Sequence, residues 1–264
     1  MHKVFFWNGN KSVARQSYEL ALLQACLQAT NQAYASVDLR VDNTDYPSAA
    51  DEANIFANGA DILVTVAGNR KFKNIQKLVI TQAITKGLLG FRLLIVRDEL
   101  SSSFSQITHS KQLQVKPLGI PETWADAELF RYNQYSVVEK GNFDELFLRL
   151  KNAEFDYVAL GVNEIEEVFK NKAAPLGGLS IEPSLMLYYP FPLVFYVAAN
   201  QARLAQRVET GLNKLIASGE FEALFKQHHG GLVQRLNLRD RKMFTLTNPE
   251  LPIEFKGFSS SLLE

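Results

Sequence analysis

The sequence predicts an α/β protein built as two domains. Three observations carry that expectation. Strand and helix patterns alternate along most of the chain, the rhythm runs once over residues 1–99 and again over 101–198, and two long apolar strands, 90–97 and 193–199, flank the second set. Alternation of this kind implies a sheet with helices on its faces. Two apolar crossings between domains form a hinge. The expected domains are 1–97 joined by 200–264, and 98–199, with crossings near 92–98 and 194–200. A length of 264 residues fits either one large domain or two of about 100–150 residues.

The elements follow in order. Val4–Trp7 is an apolar strand, Asn8-Gly-Asn-Lys a turn, and Ser12 an N-cap. Ala14, Tyr18, Ala21, Leu22, Ala25 and Ala29 then recur at helical spacing, predicting a helix to about Thr30. Val37–Val41 alternates with Asp38 and Arg40 as a strand does. Ser48–Asn58 reads as a short helix stopped by Gly59. Ile62–Val66 is the next strand. After Asp98, Ser101-Ser-Ser103 is polar punctuation. Strands at 115–120, 135–138 and 157–160 alternate with helices at 125–132, 143–152 and 164–171. Val194–Ala198 is the last strong strand. Helices at 202–218 and 220–228 break at Gly219, and the tail from Thr245 is poor in pattern.

Composition narrows the function classes. The 28 basic and 28 acidic residues cancel, so charge gives no reason to expect nucleic acid or an anionic membrane as partner. No apolar run reaches the roughly 18 residues that span a bilayer. Cys26 is the single cysteine, so the chain has no internal disulfide and no thiolate metal cluster; it reads as a small buried apolar residue. Met1-His-Lys runs straight into the first strand without an apolar leader, as in a cytoplasmic chain or in a mature exported one. The terminal Leu263-Glu264 resembles the junction that precedes a purification tag.

The familiar catalytic patterns are missing. There is no G-x-S-x-G elbow, H-E-x-x-H, Walker loop or G-x-G-x-x-G. His228-His229 ends a helix before Gly230-Gly231, where imidazoles meet the negative end of the helix dipole. Glu164, Glu166 and Glu167 open another helix, as a solvated acidic face or as a ligand contact. The expectation is a chain with no catalytic residues, no metal and no cofactor.

Four segments resemble the family 3 solute-binding proteins. The first is Thr65-Val-Ala-Gly-Asn-Arg70, at the end of a buried strand. The resemblance implies that Thr65 and Arg70 grip a ligand carboxylate, and a planar guanidinium offers a carboxylate two parallel donors. A solvent-exposed Arg-Lys loop is the plainer reading. The second is Leu118-Gly-Ile-Pro-Glu-Thr-Trp-Ala-Asp126, a strand–turn–helix element. Thr123 is expected to cap the helix with Asp126 as acidic partner, and Trp124 either stacks on a ligand or wedges the loop. The third is Phe155-Asp-Tyr-Val-Ala-Leu-Gly-Val-Asn-Glu164. In amino-acid binders this strand carries an Asp for the ligand ammonium, and counting from Asp156 puts that position at Gly161. The anion is thus missing where the family has it, leaving Asn163 and Glu164 to substitute. The fourth is the run Leu187–Asn200 followed by 204–212 and 219–225, similar to a return crossing and two closing helices. Arg92 interrupts an apolar strand; it either pairs with a structural carboxylate or faces the cleft near the hinge.

The resemblance implies a type II periplasmic-binding fold, with two hinge crossings and a solute site between the domains at the carboxyl ends of strands. Its expected lining is Trp7, Thr65, Arg70 and Arg92, with Thr123, Trp124, Asn163 and Glu164. It implies a periplasmic, monomeric, non-enzymatic binder of a small polar, anionic solute, serving a membrane permease or a sensor. A ligand-sensing domain of the same fold is the alternative. With no anion at Gly161, the common amino acids are expected to bind weakly.

Overall fold

A computed structural model describes residues 2–46, 48–260 and 262–263 of the chain. Among the described residues, twelve strands run in chain order: β1 His2–Trp7, β2 Val37–Asp42, β3 Ile62–Val66, β4 Lys77–Ile80, β5 Phe91–Arg97, β6 Leu118–Ile120, β7 Val137–Glu139, β8 Tyr157–Gly161, β9 Leu179–Ile181, β10 Leu185–Tyr188, β11 Leu193–Ala198 and β12 Lys242–Thr245. They form two sheets, as the duplicated rhythm predicts. The first has the order β2-β1-β3-β11-β4, and the second β12-β10-β5-β8-β6-β7 with β9 on β5.

The two sheets share a plan. In the first, β2, β1 and β3 run parallel and β11 is antiparallel to β3. In the second, β7, β6 and β8 run parallel and β5 is antiparallel to β8. β5 and β11 are the inserted strands, and every residue of both is buried. That explains their continuous apolar runs, since a strand covered on both faces has no polar alternation. Each lies wholly within one sheet, so neither is itself a crossing.

Compact units follow from this pairing. One comprises residues 1–85 and 193–231, the other 86–192 and 232–264. The boundaries therefore fall upstream of the expected ones at 97 and 200, and residues 200–264 do not stay together. The reason is β12, which pairs in parallel with β10 and carries the tail into the second unit. Arg235 binds Glu166 at 2.7 Å in the same unit. The chain thus passes between units three times, where two passages were expected.

In the first unit, the helix Val13–Ala29 starts at Ser12, whose hydroxyl accepts from the Arg15 amide. Its buried stripe is Tyr18, Glu19, Leu22, Leu23, Cys26 and Leu27; it shares Tyr18 and Leu22 with the expected face, whose four alanines are half-buried. Burial pushes the Cys26 thiol up to about 12, as suits an inert core residue. The helix Ala202–Ser218 packs against it at Gly211. A Cβ on Gly211 would lie 2.2 Å from the Cys26 carbonyl oxygen, so only glycine lets the helices approach this closely. Gly219, in the left-handed region at φ 82°, ends that helix and begins Glu220–His229. The expected helix over 48–58 is shorter, Ala49–Ala53, and continues as turns to Gly59. In the second unit the polar Ser101–Ser105 is a short helix and not mere punctuation.

Two outcomes follow for stability. Gly211→Ala forces backbone apart in a packed seam, and overpacking costs about 1–3 kcal/mol. The melting temperature should fall by roughly 3–10 °C; an unchanged value by calorimetry would contradict the tight seam. His229 is buried beside Tyr18 at 4.6 Å between ring centres, and its Nε2 has no partner among the described residues. Burial first, and His228 second, lower its pKa from 6.5 to about 4. Between those values the unfolded chain binds the proton and the folded one does not. Stability therefore falls as pH drops from 6.5 towards 4, by roughly 3 kcal/mol at most. His229→Phe should remove that part of the acid sensitivity, read as a flatter plot of melting temperature against pH.

Candidate ligand-binding site

The candidate residues gather at the carboxyl ends of parallel strands in both sheets, where open α/β sheets bind ligands. In the first unit these are the ends of β1 and β3. Thr65 is the fourth residue of β3, opposite Val194 of β11, and is buried. Its Oγ1 accepts from Asn69 Nδ2 at 2.8 Å, which leaves the hydroxyl proton to donate elsewhere. The Asn69 side chain also caps the turn Arg70–Phe72 through the Lys71 amide at 3.1 Å. Lys71 turns back to Glu52 at 2.6 Å, while Arg70 stands exposed at the start of the turn. Thr65, Asn69 and Arg70 are thus organised by one loop. Asn69 is a member that sequence reading missed, although it lies one residue before Arg70.

Trp7, at the end of β1, is 2% exposed. Its indole donates to the Thr44 carbonyl at 3.0 Å and its ring lies 6.0 Å from Tyr46 and from the Lys11 ammonium. Within this unit it is a packing residue. Beside it lies an ion cluster that the sequence did not reveal. Lys11 donates to Glu19 at 2.6 Å and to the Val64 carbonyl of β3 at 3.2 Å, and Arg15 meets Glu19 at 2.8 Å. Glu19 is wholly buried. Desolvation, only partly offset by Glu19, lowers the Lys11 pKa. An acid inside an apolar helical stripe was the available signal.

In the second unit the site residues follow β6 and β8. Thr123 does not cap the helix. It is exposed, in the left-handed region at φ 68°, and its amide donates to Glu139 Oε1 at 2.9 Å. The helix Ala127–Tyr132 begins at Asp126, whose side chain makes no capping bond. Trp124 is half-buried and stacks on Phe143, with ring centres 5.5 Å apart and planes at 29°, which is a wedge of the loop.

Asp126 instead serves Arg92. The Arg92 guanidinium, buried near the start of β5, lies 3.3 Å from Asp126 and 3.8 Å from Glu164. The Tyr189 hydroxyl donates to Asp126 Oδ2 at 2.9 Å. Arg92 also sits over the rings of Tyr189 at 5.4 Å and Phe191 at 5.3 Å. Burial works against its charge, but the Asp126 and Glu164 carboxylates, with the Tyr189 hydroxyl as hydrogen-bond partner, outweigh it and raise its pKa. Burial likewise raises that of Tyr189, with Asp126 adding to it, so the phenol stays protonated. Of the two readings of Arg92, the carboxylate partner is present.

Gly161 ends β8 directly opposite Arg92. A Cβ there would lie 2.7 Å from Asn163 Oδ1, 2.8 Å from Leu89 Cδ1 and 3.3 Å from Glu164 Oε1. A carboxylate does stand beside this place, that of Glu164, one of the two residues expected to substitute for the missing anion. Glu164 reaches back because its amide donates to the Gly161 carbonyl at 3.0 Å, closing a turn. Asn163 is buried, and neither atom of its amide has a partner among the described residues.

No protein-family model and no curated protein matches the sequence. Solved structures match the fold. An amino acid ABC transporter substrate-binding protein from Streptococcus pneumoniae, bound to L-arginine, is 12% identical with a TM-score of 0.60, over 86% of this chain and 93% of that one. A Salmonella typhimurium periplasmic binding protein of high arginine specificity is 16% identical with a TM-score of 0.58, over 86% and 99%. The VFT2 domain of Bordetella pertussis BvgS is 18% identical with a TM-score of 0.59, over 86% and 92%. The likeness establishes the fold: this is a two-domain α/β chain of the type II periplasmic-binding class.

The Arg92 cluster yields a ranking. Asp126→Asn removes the nearer carboxylate and leaves a buried guanidinium short of charge, which should cost about 3 kcal/mol or more. Glu164→Gln acts on a longer, partly exposed contact and should cost roughly 1 kcal/mol. Urea unfolding of both variants measures the difference; equal losses would mean that the two acids share Arg92 evenly.

Proposed function

We propose that this chain is a solute-binding protein. It captures a small polar, anionic solute and presents it to a membrane permease, acting in the periplasm as a monomer without enzymatic turnover. The loop after β3 carries the reading. A buried Thr65 hydroxyl with a free proton, the Asn69 amide that orients it, and an exposed Arg70 guanidinium one residue further give a donor-rich strand end suited to a carboxylate. Proteins of the same fold hold L-arginine and L-glutamate, so small solutes fit its scale. The likeness to a VFT2 domain within BvgS favours a second reading, a ligand-sensing domain of a receptor or regulator.

A panel of carboxylates, keto acids and amino acids in a thermal-shift screen tests the proposal. A solute at about 100 times its dissociation constant adds about 2.7 kcal/mol of stability, a melting shift of roughly 5–10 °C at this size. Arg70→Ala should fold, because Arg70 is exposed, and should lose the shift. A shift that survives in Arg70→Ala removes Arg70 from the site. A panel without any hit overturns the reading as a binder of such solutes.

A further inference from the structure

The surroundings of Arg92 have the composition of a receptor for a guanidinium. Two carboxylates, Asp126 and Glu164, and two aromatic faces, Tyr189 and Phe191, close on it. Aromatic faces attract cations most strongly where water is excluded. The chain fills this cage with its own side chain. Arg97, by contrast, is a structural arginine whose Nη1 donates to the Leu150 and Phe155 carbonyls and whose other nitrogens meet Asp156 and Glu99. Arg92 makes no such set of carbonyl bonds, and its Nε has no partner among the described residues.

A second observation points to a ligand. Asn163 is 7% exposed, and both atoms of its amide lack partners among the described residues. Its Oδ1 and Glu164 Oε1 converge on Gly161, at 2.7 and 3.3 Å from the place of a Cβ. A buried amide without hydrogen bonds is costly, and a polar solute at the end of β8 would satisfy it.

We propose that Arg92 is a specificity-determining residue: it occupies a cation cage formed by Asp126, Glu164, Tyr189 and Phe191, so that the site refuses solutes with a free cationic group and accepts neutral or anionic polar ones through Asn163. The specificity half rests on the solute-binding reading; the cage itself does not.

The probes are n-propylguanidinium, L-arginine and, as neutral control, n-propanol, each at millimolar concentration with the full chain. Thermal shift and calorimetry read binding to the wild type, to Arg92→Ala and to Arg92→Gly. The wild type should respond to none of them. Arg92→Ala should melt well below the wild type, and propylguanidinium should restore much of the loss, binding at least tenfold more tightly than to the wild type. Propanol should restore nothing. Arg92→Gly, which leaves room for the whole of propylguanidinium, carries the same test. If neither variant folds alone, refolding yield with propylguanidinium is the readout, and no recovery overturns the cage. L-Arginine or propylguanidinium binding to the wild type overturns the specificity half, as does a folded variant that gains no cation binding. Failure of the solute-binding reading is separate: it shows as an empty solute panel while the cage rescue still succeeds.

Discussion

A guanidinium removed from water must be met by charge and by hydrogen bonds, because a buried ion left unpaired costs several kcal/mol. Arg92 imposes that requirement at the start of β5. It is answered from three directions: by Asp126 at the end of the loop after β6, by Glu164 in the turn after β8, and by the Tyr189–Phe191 segment between β10 and β11. None of these segments is regular secondary structure. Apolar packing alone would leave them loosely specified, whereas a fixed central charge gives each a definite place. The first unit meets a similar problem with Glu19, which holds Lys11 and Arg15 and, through Lys11, the Val64 carbonyl of β3.

Both sheets arrive at the same arrangement by the same route. Three parallel strands are joined by one antiparallel strand, β11 in the first sheet and β5 in the second. Antiparallel pairing sets the start of the inserted strand against the carboxyl end of its neighbour. Val194 therefore faces Thr65, and Arg92 faces Gly161. The loops that leave β3 and β8 are thereby anchored to well-buried strands, and functional groups on loops gain precision from such a scaffold. This is why Thr65, Asn69 and Arg70 on one sheet, and Asn163 and Glu164 on the other, occupy corresponding places.

Much of this was legible in the sequence. β3, β8 and the helices Val13–Ala29, Ala202–Ser218 and Glu220–His229 were read nearly to the residue, because each has an unbroken apolar pattern or a clear capping or stopping residue. The misses have physical causes. β9 and β10 are three and four residues long, too short for periodicity to register. β12 pairs along one side only, and its Lys242-Met-Phe-Thr sequence is largely exposed, so nothing marks it as a strand. The domain assignment of the tail failed with it. Thr123 and Asp126 have the spacing of a capping box, but spacing is silent about the left-handed backbone at Thr123. Once that residue turns away, Asp126 is free to answer Arg92, a partner 34 residues earlier in the chain.

Gly161 shows most clearly how the linear pattern differs from the charge it produces. Glycine there reads as the loss of an anion. In space, the turn closed by the Glu164 amide on the Gly161 carbonyl brings a carboxylate back to the same place. Glycine is what makes this feasible, since a side chain at that position would collide with Asn163, Leu89 and Glu164. The anion is therefore supplied from three residues on, and it faces a guanidinium already inside the protein. Whether such a place attracts a solute's ammonium depends on the balance of charge around it and not on the presence of one acid. With Arg92 set between Asp126 and Glu164, the attraction for a second cation is largely spent within the chain, and the hydrogen-bonding capacity left over belongs to Asn163, a neutral amide.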